Sequence, residues 1–181
     1  MKRAIDFTLA LLGLPVLALV TLVIAPMIKC DTGGPVFFVQ RRVGSRERLF
    51  DCYKFRTMHI DSAEVPTHQS PESSITRVGR FLRSTKIDEL PQLINVLVGN
   101  MSLVGPRPCL PSQLELIERR RELSVDKVLP GITGLAQVRG IDMSNPSLLA
   151  RTDAEYLNRQ SAMFDLKILY ATLVRRAARG L

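Results

Sequence analysis

Two adjacent carboxylates, Asp88 and Glu89, stand inside the run Thr85-Lys86-Ile87-Asp88-Glu89-Leu90-Pro91. Leu90, Leu93, Ile94 and Leu97 follow i, i+3, i+4, i+7 spacing, which predicts a helix with one apolar face ending near Gly99-Asn100. Thr85 and Asp88 have the spacing of a capping box, and Pro91 is tolerated in a first turn, where backbone donors are unpaired anyway. The acid pair is therefore expected at a helix N-terminus. Neighbouring helical positions point in different directions, so the two carboxylates can take different roles. Free amides and the helix dipole would keep a carboxylate ionised and would also favour bound phosphate. A carboxylate nucleophile needs that state. Lys86, and Arg107 in Gly105-Pro106-Arg107-Pro108, offer fixed positive charge for phosphate oxygens, the arginine as a bidentate fork. Alone, an Asp-Glu pair in a first turn more often does no more than cap its helix.

The elements that must position these groups read as a mixed α/β, mostly helical chain. Val36-Phe37-Phe38-Val39 and Leu49-Phe50-Asp51-Cys52-Tyr53 flank a turn-prone Val43-Gly44-Ser45 and predict a β-hairpin. The stretch from Asp61 to Ser74, with Pro66 and Pro71 and no hydrophobic period, reads as a surface loop. Ser112 and Glu115 form a second capping-box pattern and predict a helix running into Arg119-Arg120-Arg121, a run that reads as a solvated helix end. A last helix from about Asp165 sets Leu166, Leu169, Tyr170 and Leu173 on one side and ends on Arg175, Arg176 and Arg179, a pattern suited either to the lipid headgroup layer or to core packing. No repeat or second domain is visible.

The 181 residues are 46% hydrophobic, which points to folding in contact with lipid. From Phe7 to Ile28 the chain carries no charge, long enough for a membrane-crossing helix. A cleaved signal peptide fits poorly, because Asp6 sits in the basic region and Pro26 follows the small-residue site at Ala25. Pro15, after Gly13, lies mid-run, where it deletes a backbone donor and bends a helix. Lys2 and Arg3 precede the run, and Lys29, Arg41, Arg42, Arg46 and Arg48 come after it, so the positive-inside rule draws both flanks to the cytosol. A single span and a re-entrant helix that leaves by the face it entered are both open readings. Lys and Arg number 25 against 17 Asp and Glu, a net +8 that attracts phosphate-rich partners such as anionic lipid. Nucleic acid is disfavoured, since the chain has no Trp and only three Tyr to stack bases. Cys30, Cys52 and Cys109 form no CxxC pair, which leaves neither a disulfide framework nor a zinc site.

The run from Lys86 to Leu97, continued by Gly99-Asn100-Met101-Ser102-Leu103-Val104-Gly105-Pro106-Arg107-Pro108, closely resembles the signature of bacterial sugar transferases, the monotopic polyprenyl-phosphate phosphoglycosyl transferases. Tyr53-Lys54-Phe55-Arg56-Thr57-Met58, Pro130-Gly131-Ile132-Thr133-Gly134-Leu135, Gln137 and Asp165-Leu166-Lys167-Ile168-Leu169 match in order, so the resemblance covers nearly the whole chain. It implies a re-entrant membrane helix over residues 1–30, with Pro15 as its break, and one catalytic unit over 31–181 at the cytosolic face of the bacterial inner (cytoplasmic) membrane. It implies attack by Asp88 on a UDP-sugar, release of UMP, and passage of the phosphosugar to polyprenyl phosphate. Mg²⁺ is the implied cofactor, held by Glu89 with Asp88 sharing the ion. Arg107, and more weakly Lys54, Arg56 and Lys86, are the implied phosphate-binding residues. Homo-oligomers and downstream glycosyltransferases complete the expected partners.

Asn100 stands where many relatives carry an acid and Ala136 where many carry Trp. The small size looks like the short forms of the family, which suggests an N-acetylated hexosamine donor, with Gly140-Ile141-Asp142-Met143-Ser144-Asn145-Pro146 either reading the sugar or serving as an ordinary loop. A metal-dependent glycosyltransferase using Asp-x-Asp is disfavoured because that motif is absent. The other alternative is a non-enzymatic basic scaffold of a glycan-assembly complex. His59 and His68 have no recognisable partner and no assigned role.

Overall fold

The computed structural model describes residues 2–60 and 72–179, with the last side chains at residue 174. The expected loop from Asp61 lies outside the described residues up to Pro71, as does His68; Glu72–Ser74 forms a short 3-10 turn. The side chains of Arg175, Arg176 and Arg179 also lie outside them.

Helix α1 runs from Lys2–Thr32 with Pro15 and Pro26 inside it. Helical structure runs through Pro15, the expected break of a re-entrant helix, and Pro15 sits on the exposed side. Asp6, Ala10, Leu17, Ile24 and Ile28 are buried, one stripe at helical spacing along the whole length. The rest of the helix is apolar yet bare: Leu12, Leu19, Leu22 and Val23 are all more than half exposed. Only 17% of its most apolar window is covered by the rest of the protein, so α1 is no soluble core helix.

Both ends of α1 are tied to the same domain. Arg3 donates to the carbonyls of Val96 and Leu97 at 2.5 and 3.0 Å. Asp6 accepts from the Ser102 hydroxyl at 2.8 Å and the Leu103 amide at 3.2 Å. Lys2 pairs with Asp165 at 2.6 Å. At the far end the Val78 amide donates to Asp31 at 2.9 Å. Between these ties Gly13 packs so closely that a Cβ there would come within 2.8 Å of Leu93.

The expected hairpin is β1 (Phe37–Val43) against β2 (Leu49–Phe55), antiparallel with Phe37 opposite Phe55 and Val43 opposite Leu49. Helix α2 (Arg77–Thr85) is capped by the Thr76 hydroxyl, which accepts from the Gly79 amide. Helix α3 (Gln92–Val98) ends on Gly99 in the left-handed conformation (φ 93). The chain continues through β3 (Ser102–Val104), α4 (Leu114–Glu122), β4 (Gly131–Thr133), α5 (Leu135–Arg139), α6 (Pro146–Arg159) and α7 (Ala162–Arg179). Strands β3 and β4 pair in parallel, Ser102 with Gly131 and Val104 with Thr133. A Cβ at Gly131 would fall 2.1 Å from the Gly105 amide nitrogen, so only glycine permits this crossing.

Two core clusters, Ala10-Phe50-Cys52-Val96-Met101 and Leu17-Ile24-Ile28-Phe55-Leu82, join α1 to the hairpin, α2 and α3. Two more lie among α4 to α7 and β3, and Ala136 belongs to one of them. Helix α7 starts at Ala162, ahead of Asp165, and leaves Met163, Leu166, Tyr170 and Leu173 exposed.

Two local expectations are corrected. Ser112 caps nothing: α4 starts at Leu114 with Gln113 at its N-cap, and the Gln113 side chain instead accepts from the Leu110 amide. Nor is the Arg119–Arg121 run wholly solvated. Arg120 is buried, with two nitrogens on Asp153 at 2.7 and 3.0 Å.

Asn95 fastens α3 to β2. Fully buried, it accepts from the Tyr53 amide at 3.0 Å and donates to the Asp51 carbonyl at 2.7 Å. Asn95→Ala would strand both backbone groups, at a cost of about 2–3 kcal/mol. The expected result is a thermal midpoint in detergent lowered by roughly 5–10 °C; an unchanged midpoint would show that β2 is held some other way.

Candidate active site

The acid pair is not in the first turn of an α-helix. Thr85 closes α2, its hydroxyl donating to the Phe81 and Leu82 carbonyls, and so does not cap the turn that carries the acids. Lys86 takes the left-handed conformation (φ 58) and leads the chain into that turn, a 3-10 segment over Ile87–Glu89. Pro91 is the N-cap residue of α3. Leu90 and Pro91 keep right-handed helical angles, so this turn leads directly into α3 at Gln92. The left-handed Lys86 separates α2 from the turn that carries the acids.

Glu89 is 5% exposed and holds two cations from distant parts of the chain. Lys54, near the end of β2, reaches its Oε1 at 3.1 Å. Arg107 forks onto it, 2.5 Å to Oε1 and 3.4 Å to Oε2. Burial alone would push the Glu89 carboxyl up, but Arg107 and Lys54 outweigh it and hold the group well below the usual carboxylate range. The same pairing raises Arg107.

Asp88 is 7% exposed, and among the described residues its Oδ1 has no hydrogen-bond partner. Burial, then the adjacent Glu89 charge, push its carboxyl above the usual aspartate range, while Lys54, Lys86 and Arg107 pull the other way. Two neighbouring acids are thus driven apart: Glu89 is fixed as an anion, and Asp88 is left poorly solvated and basic. A carboxylate oxygen in such a setting is able to act as a nucleophile.

Around the pair stand four cations. Lys54 and Arg107 touch Glu89; Lys86, lowered by burial, feels both acids. Arg83, from α2, is also lowered by burial and raised back by Asp88, and its Nε donates to the Thr57 hydroxyl at 2.9 Å. Four positive charges against two carboxylates leave a surplus of two, which suits a bound diphosphate. Of the expected residues, Arg56 does not join them: its Nε donates to the Pro35 carbonyl and its guanidinium lies over the Phe38 ring at 5.8 Å.

Arg83 carries no local sequence signal, since an arginine late in a helix is commonplace. Asn95 does carry one, as a lone amide inside the apolar run Leu93-Ile94-Asn95-Val96-Leu97. Among the described residues no group of three or more His, Cys, Asp or Glu forms a ready cation cage. A Mg²⁺ ion fits here only as one that shares its shell with substrate phosphates and takes one or two carboxylates, as that ion often does. The unpartnered Asp88 Oδ1 suits it, whereas Glu89 would have to release one of its cations.

A β-hairpin, a helix-flanked acid turn and a glycine-backed Pro-Arg-Pro loop, all laid on a bare apolar helix, bring a carboxylate pair and its cations together. The chain belongs to the bacterial sugar transferase family, whose sequence profile matches residues 1–179. It is 41% identical to an undecaprenyl-phosphate glucose phosphotransferase of Komagataeibacter xylinus, over 96% of this chain and 35% of that protein. It is 38% identical to the exopolysaccharide production protein PSS of Rhizobium leguminosarum bv. phaseoli, over 99% of this chain and 96% of that one. It is 36% identical to a UDP-N-acetylgalactosamine-undecaprenyl-phosphate N-acetylgalactosaminephosphotransferase of Aeromonas hydrophila, over 95% of this chain and 42% of the relative. The chain thus spans about a third to two fifths of two of these relatives and nearly all of the third.

The split between the two acids has a signature in stability. Glu89→Gln leaves Lys54 and Arg107 without their shared counter-charge and is expected to cost about 3 kcal/mol. Asp88→Asn removes a like-charge, desolvated carboxylate and is expected to leave stability unchanged or raise it by up to about 1 kcal/mol. Thermal melting of the two variants side by side checks the contrast, and equal losses would contradict it.

Proposed function

We propose that this chain transfers a sugar 1-phosphate from a UDP-sugar to polyprenyl (undecaprenyl) phosphate and releases UMP, by way of a covalent phosphosugar on Asp88. The observation that carries this reading is the buried, unpartnered Asp88 Oδ1 set beside a surplus of positive charge. In the first step an Asp88 oxygen attacks the β-phosphorus of the donor. The bond from that phosphorus to the bridging oxygen breaks, and UMP departs with the electron pair. In the second step a phosphate oxygen of the polyprenyl phosphate attacks the same phosphorus, and the Asp88 carboxylate leaves. The products are UMP and a polyprenyl diphosphate sugar, and the carboxylate is restored.

Arg107 and Lys54 hold Glu89 and stand ready for phosphate oxygens, with Lys86 and Arg83 completing the positive field. When bound, Mg²⁺ would neutralise phosphate charge and align the attack, held by Asp88 and, on release of one cation, Glu89. Fixed charges of this kind lower the barrier to phosphoryl transfer without reorganising.

The ties at both ends of α1 support entry and exit on one membrane face, because a helix bound along its length to one domain cannot carry that domain to both sides. We assign that face to the cytosol at the bacterial inner membrane, where UDP-sugars are made. The bare side of α1 and the exposed stripe of α7 suit contact with lipid, anionic lipid included. The names of the relatives differ in sugar, so the donor panel spans UDP-glucose, UDP-galactose and the UDP-N-acetylhexosamines, the last being the donor expected from the short form.

Purified chain, Mg²⁺, undecaprenyl phosphate and this panel are expected to give UMP with one donor, falling at least a thousandfold in Asp88→Ala. Undiminished UMP release by that variant would sink the covalent route, and no release with any donor would favour the scaffold. The pH profile adds a sharper check. Asp88 must be ionised to attack, so kcat/KM falls as pH drops through its raised pKa, with the acid limb above the ordinary aspartate range. Lys54→Met withdraws a charge that lowers Asp88, and the limb is expected to move to still higher pH.

A further inference from the structure

Behind Arg107 lies a second guanidinium that the reaction does not touch. Arg42, on β1, is 6% exposed. Its Nε and one terminal nitrogen both donate to the Gln40 side-chain oxygen, at 3.1 and 2.5 Å, and its other terminal nitrogen donates to the Pro108 carbonyl at 3.1 Å. Among the described residues no carboxylate lies within ion-pair distance of it, although the two other arginines discussed as enclosed have one: Arg107 has Glu89 and Arg120 has Asp153. A buried cation without a counter-charge is costly. The side chain that receives the fork is an amide, which differs from the matching acid by one atom and one charge.

We infer that Arg42 is a positioning residue: it fixes the Pro106-Arg107-Pro108 turn through the Pro108 carbonyl, and its unneutralised charge strengthens the hold of Arg107 on a diphosphate. The inference rests on the transferase reading above and adds a residue pair, Gln40 and Arg42, that sets the affinity of that site. Two features support it besides the bonds themselves. Pro108 is the residue next to Arg107, so a hold on its carbonyl limits where the Arg107 fork can aim. The two guanidiniums are also close enough to repel, since burial first and Arg107 second lower Arg42. An anion bound at Arg107 relieves that repulsion, and the neutral Gln40 leaves the relief to the ligand.

The decisive variant is Gln40→Glu, which keeps the fork geometry and supplies the missing charge. With the full chain in detergent and UDP plus Mg²⁺ as probe, Q40E is expected to raise the ligand-free thermal midpoint while weakening UDP binding about tenfold, as a screened opposite charge at this range would. Arg42→Lys, which keeps the charge but loses the fork, is expected to bind UDP within about threefold of the native chain while kcat/KM falls further, because Arg107 is less well aimed. A Q40E chain that binds UDP as tightly as the native one overturns the inference, and so does one that melts lower than native. No UDP binding by the native chain would overturn the transferase reading along with it, whereas native binding with an indifferent Q40E overturns this inference alone.

Discussion

The shared ion pair of Glu89 with Lys54 and Arg107 is the constraint on which the rest of the site depends. Its cations come from positions 35 and 18 residues away, and one buried carboxylate binds the hairpin, the acid turn and the Pro-Arg-Pro loop together. Once Glu89 is claimed, Asp88 cannot be: it is buried beside a fixed negative charge with one oxygen unpartnered. Two residues of nearly identical chemistry are thereby given opposite characters by their surroundings alone. The glycines at 105 and 131 serve the same end, since only their bare Cα atoms let the chain leading from β3 into the Arg107 loop pass so near β4.

The second organising fact is that α1 packs into the same unit as the acid pair. It supplies residues to two of the core clusters, and its polar ends bind carbonyls and amides at the far end of α3 and the near end of α2. Since α3 begins just after the acid turn, α1 and Asp88 share one packed support. The position of Asp88 relative to α1 is then set by packing rather than by a flexible tether.

Much of this was legible in the sequence wherever the controlling forces are local or strongly periodic. The hairpin strands, the helix carrying Leu93 and Leu97, its stop at Gly99 and the apolar N-terminal helix all arise from patterns of side-chain type. The failures share a cause. Thr85 and Ser112 have capping spacing, but a left-handed Lys86 and the Gln113–Leu110 bond override it. Arg120 looks like part of a solvated run until Asp153 arrives from a helix 33 residues on. Arg83, Asn95 and the Gln40–Arg42 pair owe their roles to partners brought in by tertiary packing, which no window along the chain contains.

One consequence concerns the order of events during synthesis. Lys2 is paired with Asp165, a separation of 163 residues, and Arg3 with carbonyls more than 90 residues downstream. Helix α1 is therefore made long before the residues that tie down its first turn. In that interval its apolar side lacks part of its protein cover, and exposed apolar surface of this kind invites aggregation. A chaperone or a lipid surface that covers α1 until Asp165 has been made would raise the yield of folded chain.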